Sequence, residues 1–117
     1  MEDTDLEILR KVVRIEKRKM NIPEGFAIEV YEGYPKPFEH CCKCEPIESM
    51  DKRVVGARIK INYEHSLLGG IYDLLHEIKH GEGFYLGKNV PEIVADIYAF
   101  RKIWKYILSY DDVMTVE

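Results

Sequence analysis

The sequence predicts an α+β protein built as a single domain of 117 residues. Residues 26–32 and 53–64 alternate apolar and polar side chains, as half-buried strands do. Residues 4–20, 66–80 and 89–108 repeat apolar side chains at helical spacing instead. We therefore expect a small, mostly antiparallel sheet flanked by helices, in a chain long enough to form a core without disulfides.

The first helical segment begins with a capping-box pattern, in which Thr4 is the N-cap and Glu7 follows three residues later. Residues 21–25 contain proline and glycine and are expected to end it. Basic residues between Lys11 and Lys19 are interleaved with apolar ones, which is typical of the solvated side of a helix. Its apolar positions are Leu6, Leu9, Val12, Val13 and Met20. We interpret this helix as a layer that backs the sheet.

The two strand segments are separated by residues 33–46, which carry three prolines and a cluster of cysteines and are expected to form an irregular loop. Residues 53–64 come just before the helix that carries the histidines described below. This strand could lie at a sheet edge beside a cleft, where its unpaired backbone groups would bind an extended peptide. It could equally be an interior strand, and the sequence leaves both arrangements open.

The second and third helices have recognisable ends. Ser66 suits the N-cap of the second, and Gly81 and Gly83 are expected to end it. Asn89 can cap the third, with Pro91 in its first turn. The apolar stripe of the second helix contains Leu68, Ile71, Leu75 and Ile78.

The third helix has two distinct sides. One carries Ile93, Ile97, Phe100, Trp104 and Ile107. The other carries Glu92, Asp96, Ala99 and Ile103. Ala95 and Ala99 are small, so the helix is expected to approach a partner helix closely.

The second helix contains His76-Glu77-x-x-His80, an H-E-x-x-H motif. Side chains four residues apart on a helix are stacked neighbours, so His76 and His80 can bind one Zn²⁺ at about 2.0–2.1 Å each. Glu77 projects to one side of that pair, where it can act as a general base on a zinc-activated water and return the proton to a leaving amine. The alternative interpretation makes both histidines ordinary residues of an amphipathic helix.

A catalytic zinc site needs a third protein ligand and an open position. The extended motif H-E-x-x-H-x-x-G-x-x-H fails here, because its last position is Leu86. We expect Glu92 to be the third ligand, with Asp96 one turn later accepting a hydrogen bond from a ligating histidine. Glu82 is the competing carboxylate, although it lies directly after the expected helix end. Without a metal, Glu92 would be a favourable charge at a helix N-terminus.

Three cysteines, Cys41, Cys42 and Cys44, lie beside His40. An odd, crowded set is a poor disulfide framework and favours a reducing compartment. We interpret them as ordinary loop cysteines. A structural second metal site and thiolates that reach the zinc to keep the protein latent are the alternatives.

Composition restricts the class of protein. The net charge of −4, without a dominant basic face, argues against nucleic-acid binding. No stretch approaches the roughly 20 apolar residues that cross a bilayer, and the acidic start does not resemble a signal peptide. We expect a soluble, cytoplasmic protein. The sequence leaves the oligomeric state open, a homo-oligomer included.

The motif H-E-I-K-H followed by E-I-V-A-D resembles the gluzincin branch of zinc metallopeptidases, with its H-E-x-x-H helix and its glutamate helix E-x-x-x-D. The size of the chain resembles the minimal soluble members, the minigluzincins and selecase-like proteases. The resemblance is specific over residues 71–100 and only architectural over residues 1–64. It implies a zincin-like fold, a zinc cofactor, an edge strand above the cleft and hydrolysis of peptides or unfolded proteins.

The resemblance leaves two points open. It implies latency through a terminal segment, for which the acidic residues 109–117 are the candidate. The side chain that stabilises the oxyanion in relatives has four candidates here: Tyr63, His65, Tyr85 and Tyr106.

The main rival function is a zincin-like regulatory module that binds zinc and a partner with little or no peptidase turnover. A structural protein without metal is the second rival.

Overall fold

The computed structural model describes residues 3–33, 42–62 and 66–109. Within them the elements are, in chain order, α1 (Asp3–Lys19), β1 (Ala27–Gly33), β2 (Cys42–Glu48), β3 (Val54–Asn62), α2 (Leu67–Leu86) and α3 (Glu92–Leu108). The predicted α+β class is confirmed. Among these residues we find no helical segment with the length and hydropathy of a bilayer span.

The three strands form a mixed sheet in the order β1-β3-β2. β1 runs parallel to β3, whereas β2 runs antiparallel to β3. The prediction of a mostly antiparallel sheet is therefore wrong. Of the two arrangements left open for residues 53–64, the structure has the interior one. Alternation shows that a segment is a strand, but the partner is set by how the chain crosses the sheet. Here β3 inserts between two strands that precede it.

The loop predicted over residues 33–46 is wrong in its last part, because β2 already begins at Cys42. Pro46 lies within it, opposite Ala57 of β3. Proline removes a backbone donor, which an edge strand tolerates because one row of its N–H groups faces away from the sheet. Residues 34–41, with His40 and Cys41, lie outside the described residues.

α2 is the central element of the core, since it packs against β2, β3, α1 and α3. Each large apolar side chain that is fully buried contributes about 1.5–3 kcal/mol to folding. The buried cluster draws on all three helices and on β1 and β3: Ile8, Leu9, Val12, Val13, Val30, Ile59, Ile61, Ile71, Leu74, Leu75, Ile78, Ala99, Ile103 and Tyr106.

The ends of the helices differ in part from the prediction. α1 already includes Thr4, so the capping box is wrong there. Ser66 does cap α2, its Oγ accepting a hydrogen bond from the Gly69 N–H at 3.2 Å. α3 begins at Glu92 after Pro91, and Asn89 does not cap it.

Gly81 and Gly83 do not end α2, which continues to Leu86 and stops at Gly87 in the left-handed region at φ 68°. Both residues are buried. A Cβ on Gly83 would lie 2.6 Å from Val90 Cγ2 and 2.8 Å from the Lys88 carbonyl oxygen. Gly83 therefore permits close contact with the segment that turns back into α3. From the sequence alone, a glycine that allows such a contact cannot be distinguished from a glycine that ends a helix.

Replacing Gly83 by alanine should destabilise the protein by about 1–3 kcal/mol, because backbone must move to accommodate the new methyl group. This loss exceeds the gain of roughly 1 kcal/mol or less in helix propensity. Urea unfolding measures it. Gly25→Ala is the matched control, since nothing lies within 4 Å of its Cβ position. Equal stability of the two variants would contradict the assigned contact.

α3 packs on α2, and its buried residues include Ala95, Ala99 and Ile103, which is the side on which a close approach was expected. The larger apolar side chains of the opposite side face outward instead. Ile93 and Phe100 are 67% and 58% exposed. The core side of α3 is thus its small-residue side.

Candidate metal centre

The histidines of α2 lie together on the side that faces the start of α3. The Nε2 atoms of His76 and His80 are 3.2 Å apart, with their ring centroids at 5.0 Å. Both side chains are largely buried. This is the stacked arrangement that a four-residue spacing on a helix predicts.

Glu92, the first residue of α3, completes a group of three ligand side chains. Its Oε2 lies 2.8 Å from His76 Nε2 and its Oε1 lies 3.0 Å from His80 Nε2. The side chain is 77% exposed, so it closes the group from the solvent side. The turn through Gly87 brings the two helices close enough for this contact. The predicted convergence of His76, His80 and Glu92 is what the structure contains.

Asp96 holds the other ring nitrogen of His76, with 2.7 Å between Asp96 Oδ1 and His76 Nδ1. A carboxylate at this distance accepts the Nδ1–H hydrogen bond and so favours the tautomer with a lone pair on Nε2. That lone pair points at a carboxylate oxygen of Glu92 and at the second imidazole. Acceptor atoms so close together require a proton or a metal cation between them.

The ligand atoms lie close enough together to hold one metal ion. Tetrahedral ligands at about 2.0–2.1 Å from zinc lie roughly 3.3 Å from one another. Here the two Nε2 atoms are 3.2 Å apart, and they lie 2.8 and 3.0 Å from different carboxylate oxygens of Glu92, so small shifts of these side chains would give the spacing that an ion needs. Two imidazoles and a carboxylate suit several divalent transition metals, zinc among them. The group could therefore hold a metal.

Glu77 lies beside the group without belonging to it. Its Oε1 is 4.0 Å from His76 Nε2, and the residue is buried. Burial raises the pKa of Glu77 to about 7, His76 opposes this shift, and the charges of Glu92 and Asp73 add to it. A carboxyl group with this pKa can both accept and donate a proton near neutral pH.

A cavity of about 850 Å³ opens onto the group, between α2, β2 and the start of α3. Its volume lies within the range of small-molecule and peptide sites. A slightly larger groove, about 1000 Å³, lies between α1 and β1. No group of three close metal-ligand side chains lines that groove within residues 3–33, 42–62 and 66–109. We therefore place the site in the smaller cavity.

Two of the cysteines line this cavity from β2, so the description of Cys42 and Cys44 as loop residues is wrong. Burial, followed by the nearby charges of Glu77 and Glu45, raises the pKa of Cys44 to about 12. Cys44 is therefore a neutral thiol at physiological pH. Neither cysteine belongs to the three-residue ligand group found in the described part of the chain.

Two of the tyrosines considered for the site lie elsewhere. Tyr106 is buried and donates a hydrogen bond to Glu16, whereas Tyr85 packs edge-on against Phe26. Tyr63 and His65 lie outside the described residues. Tyr72 lines the cavity instead. Tyr72 lies one turn before His76 on the same helix face, so the sequence spacing could have predicted that it lines the site.

The competing ligand Glu82 bonds to Lys79, with 2.6 Å between its Oε1 and Lys79 Nζ. It is not part of the ligand group, and Glu92 takes that position.

Comparison of the chain with protein-family models, curated proteins and solved structures finds no match. The functional interpretation therefore rests on the geometry of the site.

Proposed function

We propose that the protein is a zinc-dependent peptidase of the minimal gluzincin type, acting on peptides or unfolded proteins. In this proposal His76, His80 and Glu92 hold the zinc, Glu77 is the catalytic base and acid, and Asp96 orients His76. The observation that carries it is the meeting of three ligand atoms beside a buried carboxyl group that takes no part in the ligand set. That is the division of roles that metal-assisted hydrolysis requires.

Zinc bound by this group would act as a Lewis acid that activates water and polarises a carbonyl group. Glu77 would accept a proton from the attacking water at its carboxylate and donate it to the departing amine nitrogen. Its buried position keeps bulk water from competing for that proton. Asp96, by accepting from His76 Nδ1, keeps the His76 ring in the orientation that directs Nε2 toward the ligand group.

β2 is the strand that would receive the substrate in this proposal. It is paired only with β3 in the described sheet, and residues 42–44 line the cavity beside the ligand group. An edge strand offers alternating N–H and C=O groups, to which an extended peptide can add as a further strand. This favours unfolded chains over compact substrates, because only an extended backbone can pair in this way.

The experiment that tests the proposal incubates the untagged, zinc-loaded protein with an intrinsically unfolded protein and follows new amino termini. We expect cleavage that a chelator stops and that added zinc restores. Bound zinc without cleavage of several unfolded substrates would reject the peptidase and favour the zincin-like binding module. Cleavage that persists after complete removal of metal would contradict the role of the site.

A further inference from the structure

α3 exposes a continuous apolar stripe on the side away from α2. We define the outer stripe as Ile93, Ile97, Phe100, Trp104 and Ile107. Their exposed fractions are 67%, 47%, 58%, 52% and 37% in that order. Val94 and Leu108, exposed by 41% and 86%, extend it at its margin.

The spacing along the outer stripe is four, three, four and three residues. This is the seven-residue repeat by which two helices pack knobs into holes along a shared seam. The core side of α3 already packs on α2, so the helix is formed whether or not a partner is present. A second identical helix would find the same spacing in the stripe that it meets.

The size of this apolar surface also fits a protein interface. If a large side chain offers about 200 Å² when fully exposed, the seven side chains present on the order of 800 Å². A monomer seldom exposes more than roughly 300–600 Å² in one patch, whereas a stable interface takes about 800 Å² from each partner. The stripe is large enough to hold a dimer together.

The flanking charges favour a second copy with its α3 in parallel. Asp96 and Arg101 lie on opposite margins of the stripe, five residues apart, and both are exposed. Oδ1 of Asp96 accepts from His76 Nδ1, so its other carboxylate oxygen is the one left for a partner. In a parallel pair this offset brings the acid of each helix beside the arginine of the other. A membrane surface is less suitable, because only one margin carries a cation, Arg101, while the other carries the acidic Asp96, and the chain has a net charge of −4.

We propose that two copies of this chain form a symmetric dimer in which the outer stripes pack side by side. The inference does not depend on the proposed hydrolysis, because none of the five stripe residues belongs to the ligand group; only Asp96, at the margin, contacts it through His76. The proposed interface is nevertheless adjacent to the ligand group in the chain, since Ile93 follows Glu92 directly. In the dimer, the first turn of α3 would therefore be packed between α2 on one side and the second copy on the other.

The test is the mass of the full, untagged chain in solution, measured by sedimentation equilibrium at concentrations on the order of 100 µM and below. We expect twice the 13.7 kDa of the chain for the wild type. Phe100→Glu should give the monomer, with association weakened on the order of a hundredfold or more, because two charges would meet at the centre of the seam. Met50→Glu, which changes an exposed apolar side chain on a turn, should remain dimeric.

Tryptophan fluorescence gives a second readout, because Trp104 is the single tryptophan of the chain. Its emission should shift to the red on dilution of the wild type and be red-shifted at all concentrations in Phe100→Glu. Circular dichroism establishes that this variant is folded. A monomeric wild type would overturn the dimer. If its Trp104 emission were also blue and independent of concentration, residues 110–117 of the same chain would be the occupant instead.

The parallel arrangement has its own test in Arg101→Glu. This change would place two acids together at each margin, and association should weaken several-fold at low salt and less at high salt. In an antiparallel pair Arg101 would not meet Asp96. An unchanged dissociation constant would therefore overturn the parallel arrangement.

Discussion

Replacing Glu77 by glutamine should abolish hydrolysis and leave metal binding intact. The carboxyl group lies beside His76 Nε2 but outside the ligand group, so its loss removes proton transfer and no metal ligand. General acid–base catalysis contributes about 10²–10⁴-fold to a rate, and we expect a loss of that size. The measurement pairs the rate of appearance of amino termini with the zinc content of the same preparation.

Glu82→Gln is the matched control for Glu77→Gln, because Glu82 lies on the same helix and bonds to Lys79 away from the ligand group. Its activity should be close to that of the wild type. If Glu77→Gln kept the full rate, the role of Glu77 as the proton carrier would be rejected. A variant that lost its metal as well would indicate that Glu77 supports the ligands instead.

Replacing Glu16 by alanine should destabilise the protein by about 2–5 kcal/mol, because each of two buried hydroxyl groups left without its acceptor costs about 1–3 kcal/mol. Glu16 is fully buried on α1. It accepts hydrogen bonds from the hydroxyl groups of Tyr98 at 2.7 Å and Tyr106 at 2.6 Å. Lys102 and Lys105 lie within 3.9 Å of its oxygens. The variant would leave these α3 groups without their acceptor.

Equilibrium unfolding in urea measures this loss. Glu7→Ala is the control, because Glu7 is an exposed glutamate of the same helix and its replacement should change stability by less than about 0.5 kcal/mol. Glu16→Gln should lie between the two, since an amide oxygen still accepts one of the hydrogen bonds. An effect of Glu16→Ala no larger than that of Glu7→Ala would show that the buried network does not tie α1 to α3.

The ligand group was predictable because its geometry is local. A four-residue interval on a helix fixes the relation of His76 to His80, and the same interval relates Glu92 to Asp96. A short reversal between the two helices leaves little freedom in how the pairs meet. The spacing of these four residues in the sequence was therefore nearly sufficient to predict how their side chains meet.

The features that sequence reasoning missed depend on distant partners. The order of the strands follows from the path of the chain across the sheet, which alternation does not encode. Glu16 lies among the basic residues of α1 and reads as part of a solvated face, yet Tyr98 and Tyr106 reach it from α3. The outer stripe of α3 has the same pattern as a core stripe, because hydrophobicity does not tell which neighbour covers it.

The most direct test of the account is the zinc content of untagged wild-type protein and of Glu92→Ala, measured after equilibration with limiting zinc. We predict one zinc per chain for the wild type. Removal of Glu92 should weaken binding by more than the roughly 10–100-fold that loss of a hydrogen bond behind a ligand costs. Glu82→Ala should bind as the wild type does. A wild type that binds no zinc, or equal affinity in Glu92→Ala, would contradict the proposed metal centre.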